Sequence, residues 1–202
     1  MKNLVVGFDF DQTLADSSQG IFDCLKAVAD IQNLEIEESF LHQLAVSGRP
    51  LRDTLSQFLP DRDIKFGVET FMRLYPKVGV QGTFLFPGVI ELFTKLKQEK
   101  ATIFILSSKT HSNLILTLNN LELHVDQAIG SLDYKGKVEN IRDLKLDFYV
   151  GDQFSDMSAA AEAGCRGILV NNFSESETPI PLHARFQTLS EMQQNLLTLL
   201  DF

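Results

Sequence analysis

Apolar residues follow two rhythms along this chain. Asn3–Phe8, Ala101–Leu106, Asp147–Val150 and Gly167–Val170 are short and nearly continuous apolar runs. Such runs mark strands buried on both faces of a parallel sheet. Val125–Ile129 is a shorter strand candidate, and Ala184–Thr188 reads as an edge strand. Elsewhere apolar positions recur at helical spacing. Ile21, Phe22, Leu25, Val28 and Ala29 share one face; Phe40, Leu41 and Leu44 follow; then come Leu51, Leu55 and Phe58. A fourth helix, from Phe66 to about Val78, turns Phe71, Leu74 and Tyr75 inward. Later helices are predicted from Val89 to Lys100, over His111–Leu121, over Lys137–Leu144 and over Asp156–Ala163. A terminal helix carries Leu189, Met192, Leu196, Leu199 and Leu200. Asp16, Ser17, Ser18 and Ser39 are N-cap candidates. Pro50 suits a first turn, Pro60 stops the third helix, and Gly164 is a C-cap candidate. Small residues at Ala159, Ala160, Ala161 and Ala163 allow close approach to a sheet. Asn171–Thr178 is a polar loop with Glu175 and Glu177 in solvent, and Pro179 and Pro181 forbid regular structure at its end.

After residue 84 strands and helices alternate, which predicts a parallel α/β sheet with right-handed crossovers. The interval from Leu14 to Phe84 is far longer than a crossover needs. Its four helices are therefore expected to form a subdomain inserted between the first two long strands. Ala15–Asp16 and Gly82–Thr83 are its natural hinges.

Ligands in such sheets bind beyond the carboxyl ends of the strands. Polar clusters stand at three of those ends: Asp9, Asp11 and Thr13; Ser107, Ser108 and Lys109; Asp152 and Asp156. Alternate residues of an extended chain point the same way, so Asp9 and Asp11 are expected to project together. Close carboxylates repel unless one is protonated or a cation binds. The pair thus calls for a metal or for divided acid and nucleophile roles; an Asp-rich turn is the plainer reading. Arg49 and Arg52 flank Pro50 at a helix start, where a substrate anion could bind or the two arginines could be exposed helix-end charges.

The chain's 202 residues carry a net charge of −9, with a pI near 4.9. That balance argues against a general nucleic-acid binder, yet a local lysine or metal still admits small anionic substrates. Cys24 and Cys165 lack metal-ligand spacing and read as reduced thiols. No apolar stretch approaches a membrane span, and the run after Met1-Lys2-Asn3 is too brief for a secretory signal. A cytoplasmic protein without membrane or nucleic-acid partners is expected, as a monomer or homodimer.

Taken together these motifs resemble the haloacid dehalogenase-like superfamily. Asp9-Phe10-Asp11-Gln12-Thr13 is similar to its D-x-D-x-T signature, and Ile103–Ser107 to its second motif. Gly151-Asp152-Gln153-Phe154-Ser155-Asp156 is similar to the G-D-x-x-x-D motif, and Lys137 to the lysine ahead of it, with Lys135 a rival on the same turn. Phe86-Pro87-Gly88-Val89 resembles the phosphoglycolate phosphatase-like branch. The resemblance implies a Rossmann-like parallel sheet flanked by helices, residues 1–14 and 84–202, with an inserted α-helical bundle cap, residues 15–83.

It also implies roles. Asp9 would be the nucleophile of a Mg2+-dependent phosphatase acting on a small phosphorylated metabolite, and Asp11 the general acid and base. Ser107 and Lys137 would complete the catalytic set. The Asp9 carboxylate, the Asp11 carbonyl, Asp152 and Asp156 would serve the metal; Thr13, Ser108, Lys109, Arg49 and Arg52 would serve the substrate. Gln12 departs from the family's usual Gly, and Ser108 from a frequent Asn. A β-phosphoglucomutase-like phosphomutase and a non-catalytic phosphoanion-binding protein are the alternatives.

Overall fold

The computed structural model describes residues 3–171 and 182–195. The loop expected over Asn171–Thr178 beyond its first residue, Pro179, Pro181, Glu175, Glu177, and Leu196, Leu199 and Leu200 lie outside the described residues. Six parallel strands form the main sheet: β1 (Val5–Phe8), β4 (Thr102–Leu106), β5 (Gln127–Ile129), β6 (Phe148–Gly151), β7 (Arg166–Val170) and β8 (Ala184–Phe186), in the order β5-β4-β1-β6-β7-β8. The chain steps outward from β1 through β4 to β5, then crosses back to β6 on β1's other side. That reversal opens a crevice at the carboxyl end of β1, the Rossmann-like position for a ligand. Phe8 stands opposite Ile105 on one neighbour and Val150 on the other. Asp9, Ser107 and Asp152 therefore leave adjacent strands at the same end.

Helices cover both faces. Val6, Phe8, Ile103, Ile105 and Val150 pack with α5 (Val89–Gln98), α6 (His111–Asn120) and α9 (Leu189–Gln194). Leu106 and Tyr149 on the opposite face pack with α7 (Tyr134–Asp143) and α8 (Phe154–Ala163). Ala159 and Ala160 of α8 are fully buried there, as their small size predicted. A Cβ at Gly7 would stand 2.3 Å from Leu146 Cδ1 and 3.0 Å from Tyr149 Cδ2, so a side chain there would displace the packing on that face.

The four inserted helices, α1 (Ser18–Ile31), α2 (Glu38–Ala45), α3 (Leu51–Leu55) and α4 (Ile64–Leu74), gather a separate core from Phe22, Leu25, Leu41, Leu55, Phe71 and Tyr75. Two chain crossings join them to the sheet. There β2 (Ala15–Asp16) pairs antiparallel with β3 (Phe84–Leu85), a ribbon that two-residue strands hide from any periodicity. Beside it Gly20 N–H donates to Gly82 O at 3.2 Å.

Several boundaries differ from expectation for local reasons. The Asp16 carboxylate accepts from Ser18 N–H and Oγ at α1's start, while Ser17 Oγ turns to Asp11. Ser39 lies inside α2, which begins one residue earlier at Glu38. The fourth helix starts two residues before Phe66, which is 45% exposed, and ends before Val78. Asp133 caps Gly136 N–H at 2.7 Å and so begins α7 three residues before Lys137. Asp147 stands outside β6 because its carboxylate accepts Val5 N–H at 3.0 Å. Gly164 does cap α8, at φ 74°.

Candidate active site

The site begins where β1 ends. Asp9 N–H donates to Val150 O at 2.8 Å, a last rung of the sheet that fixes the carboxylate over the crevice. Lys137 enters from α7 and reaches Asp9 Oδ2 at 3.2 Å and Asp156 Oδ1 at 2.8 Å. Its side chain is 12% exposed. Lys135, two helix positions away, points about 200° around the axis; its side chain is 83% exposed and pairs with Glu139 at 3.6 Å. The lysine of this site is therefore Lys137.

Asp152 accepts Thr13 Oγ1–H at 2.9 Å on one oxygen and Gln153 Nε2–H at 2.7 Å on the other. Asp156 Oδ2 accepts Gln153 N–H at 3.2 Å, so both of its oxygens orient neighbours. Carboxylate oxygens of Asp9, Asp152 and Asp156 lie within 4.8 Å of one another, and all three residues are buried. Three carboxylates against one ammonium leave two negative charges to compensate. Asp9 Oδ1 is buried without a hydrogen-bond partner. A hard divalent cation fits both observations: oxygen donors, converging, with one lacking any other partner.

Without a cation the electrostatics are costly. Burial pushes the Asp9 carboxyl from its ordinary 3.8 up to about 8; Lys137 opposes this, and Asp156 and Asp152 add to it. Burial and then Asp156 push Asp152 from 3.8 up to about 6, against hydrogen bonds from Thr13 and Gln153. Burial alone would lower Lys137, but Asp156 and Asp9 hold it well above the usual lysine range. Folded-state values raised above unfolded ones mean that the folded protein binds protons more tightly. The contribution of Asp9 and Asp152 is thus full below about pH 4 and is lost as pH rises through about 6 and then about 8. A cation that replaces those protons reverses the trend. We expect the stabilisation by Mg2+, read as the Tm with and without the ion, to grow steadily from pH 5 to pH 8. A shift that is equal across this range would contradict the assignment of these carboxylates.

Asp11 lies across the crevice. Its Oδ1 accepts Ser17 Oγ–H at 2.6 Å and Lys109 Nζ–H at 2.8 Å. Lys109 is buried, which alone would lower its pKa, but Asp11 and the Tyr75 hydroxyl together more than offset that burial and raise it. The ammonium also sits 4.7 Å from the Tyr75 ring centre. Ser107, nearly fully buried, accepts Lys109 N–H on its Oγ at 3.2 Å. Ser108 Oγ–H reaches Gly48 O in the α2–α3 turn at 3.2 Å. Asp9, Asp11, Ser107 and Asp152 thus follow the ends of β1, β4 and β6, and Lys137 from α7 and Asp156 from α8 reach the same crevice.

The expected substrate residues divide. Thr13 is fully buried on Asp152, where it positions that carboxylate and has no surface for substrate. Lys109, Ser108 and Arg49 line a cavity that runs from Asp11 to α2, α3 and α4, whereas Arg52 is exposed and not part of its wall. Ser17, Gln153 and Asn171 were missed. Asn171 Nδ2–H donates to both Gln12 O and Thr13 O at 3.0 Å, tying the β1 loop to the end of β7. Nothing local marks it, because its partners lie far away in the chain.

Gln12 has φ 62°, the left-handed region. This explains the glycine usual at that place in the resemblance: a Cβ there costs about 1 kcal/mol. Its side chain gains little in return, reaching Asp16 Oδ1 at 3.4 Å. We expect Gln12→Gly to raise stability by about 0.5–1 kcal/mol, seen as a higher denaturant midpoint with unchanged slope. A lower midpoint would mean that the Gln12 side chain holds the loop.

Comparison with known proteins identifies the family and the fold. A family model described as haloacid dehalogenase-like hydrolase matches residues 6–170, and the chain belongs to that family. A phosphoglycolate phosphatase of Salmonella choleraesuis (strain SC-B67) is 25% identical over 203 residues, covering 81% of this chain and 79% of its own. A haloacid dehalogenase-like family hydrolase from Streptococcus pneumoniae superposes with a TM-score of 0.82 at 21% identity, covering 96% of this chain and 98% of that one. A predicted phosphoglycolate phosphatase from Haemophilus somnus gives a TM-score of 0.75 at 17% identity, covering 100% and 99%. No helix among the described residues is long and apolar enough to cross a membrane.

Proposed function

We propose that this protein hydrolyses a small phosphorylated metabolite with the help of Mg2+, through an aspartyl-phosphate formed on Asp9. The observation that carries this reading is the buried cluster in which Lys137 bridges Asp9 and Asp156 while Asp9 Oδ1 has no partner. The family is that of the haloacid dehalogenase-like hydrolases, and the coarse activity is that of a phosphatase.

The Asp9 and Asp152 carboxylates and the Asp11 main-chain carbonyl are proposed to hold the cation, with Asp156 orienting Lys137 and the Gln153 turn. When bound, the cation neutralises phosphate charge, so that an anionic nucleophile can approach an anionic ester. Asp9 attacks phosphorus and the bond to the leaving oxygen breaks. Asp11 gives that oxygen its proton; Ser17 and Lys109 both grip Oδ1, which leaves Oδ2 for the transfer. Asp11 then takes a proton from the water that cleaves the aspartyl-phosphate. Ser107 and Lys137 hold the phosphoryl oxygens as they move in line.

Residues 15–83 are proposed to act as a cap. Ser108 on Gly48, and Thr110 and Asn113 beside Met72 Sδ at 3.5 and 3.4 Å, join this unit to the sheet's crevice. Arg49, at the cavity wall, is the candidate for an anionic substituent of the substrate. Phosphate release from a panel of phosphomonoesters with Mg2+, run beside an assay for sugar phosphate interconversion, tests the reading. Steady release supports it. Fast interconversion with slow release would replace it by a phosphomutase, and Mg2+ binding with neither activity by a phosphoanion-binding protein.

A further inference from the structure

The cavity between Asp11 and the inserted helices, partly open to solvent, has a volume of about 70 Å³. A buried water needs about 10–15 Å³ of such space, so the cavity holds on the order of six non-hydrogen atoms. Asp9 is not part of its wall, which places the phosphoryl group outside it and the leaving group within. A hexose is about twice too large to lie wholly within that space.

The wall is mainly apolar on the helical side, where Ile21, Leu44, Leu51 and Phe71 face it. Most polar groups there are already engaged. Thr54 Oγ1–H donates to Pro50 O at 3.2 Å, Ser108 Oγ–H to Gly48 O at 3.2 Å, and Asn113 Nδ2 turns to Met72 Sδ at 3.4 Å. Tyr75 differs. It is 1% exposed and lines the cavity, and its hydroxyl hydrogen has no acceptor among the described residues, the Lys109 ammonium beside it being able only to donate to its oxygen. An unsatisfied buried hydroxyl costs about 1–3 kcal/mol, a cost that a ligand oxygen in the cavity would remove.

We infer that Tyr75 is a specificity-determining residue, which donates its hydroxyl hydrogen to an oxygen on a leaving group of about two to four carbons. The inference rests on the phosphatase reading of Asp9. It is independent of Arg49, which answers to charge and not to a neutral oxygen.

Tyr75→Phe isolates the hydroxyl, because the ring that Lys109 faces is kept. The measurement is kcat/KM with Mg2+ for wild type and variant on ethyl phosphate, propyl phosphate, glycerol phosphate, phosphoglycolate and glucose 6-phosphate. Wild type is expected to favour the small oxygen-bearing esters over alkyl esters by about tenfold or more, and over the hexose ester by about a hundredfold. Tyr75→Phe is expected to lower the oxygen-bearing to alkyl ratio by about tenfold, mostly through KM. An unchanged ratio, or a preferred hexose ester, overturns the inference while leaving the phosphatase intact. Wild type that is inert on every ester overturns the reading of Asp9, and this inference with it.

Discussion

Asp9→Asn is expected to abolish turnover, by about 10⁴-fold or more, without unfolding the protein. The carboxylate is the atom group that would form the new bond, and an amide cannot take its place. The structural cost is small for a definite reason. Burial raises the Asp9 carboxyl well above its ordinary value, so its charge is costly in the metal-free folded protein. A neutral amide of the same shape avoids that cost and relieves repulsion from Asp152 and Asp156. The metal-free Tm should therefore be equal or higher, while the stabilisation by Mg2+ is largely lost. Steady-state phosphate release and thermal denaturation with and without Mg2+ check both halves. A variant that is inactive because it is unfolded would leave the role of Asp9 unsupported.

Lys137→Met is expected to damage both activity and stability. Two buried ion pairs end on this ammonium, and removing it leaves three clustered carboxylates without a cation. Breaking a buried pair from one side costs about 3–5 kcal/mol, which for a protein of this size is a Tm loss of roughly 10 °C. The loss should be greater at pH 8 than at pH 5, because Asp9 and Asp152 take protons near 8 and 6 and so relieve the repulsion. Millimolar Mg2+ should restore much of the Tm but not the rate, which falls by about 10²–10³-fold as a charge that stabilises the moving phosphoryl group is lost. Lys135→Met, by contrast, removes an exposed pair and should change stability by less than about 0.5 kcal/mol. Equal effects of the two substitutions would place the functional lysine elsewhere.

The contrast between these two lysines shows what a sequence reading reaches. The strands at 5–8, 102–106 and 148–151 were legible because burial on both faces leaves continuous apolar runs. The polar residues after each run identified the strand ends, and the sheet order then made those ends neighbours. Lys135 and Lys137 stayed rivals because the start of α7 depends on Asp133, and a helix start decides which of two nearby positions faces inward. Contacts between distant residues were not legible. Tyr75 reads as an ordinary apolar position of the fourth helix's face, and its hydroxyl, with no acceptor for its hydrogen, meets Lys109 only once the end of α4 lies over the crevice. Ser17 reads as a helix cap, yet its hydroxyl serves Asp11 because Asp16 already caps the helix. Thr13 was expected at the substrate, and the return of β6 beside β1 placed it on Asp152. Gln12 stood out as a departure in residue type, but only its positive φ explains why glycine is usual there.

The proposed phosphorylation of Asp9 is tested by a single-turnover reaction with Mg2+ and a phosphomonoester that the protein hydrolyses, quenched in acid and mapped by peptide mass spectrometry. A phosphate adduct confined to Asp9, which rises and decays before free phosphate is complete, is the predicted result. An adduct on another residue, or full hydrolysis by Asp9→Asn, would contradict it.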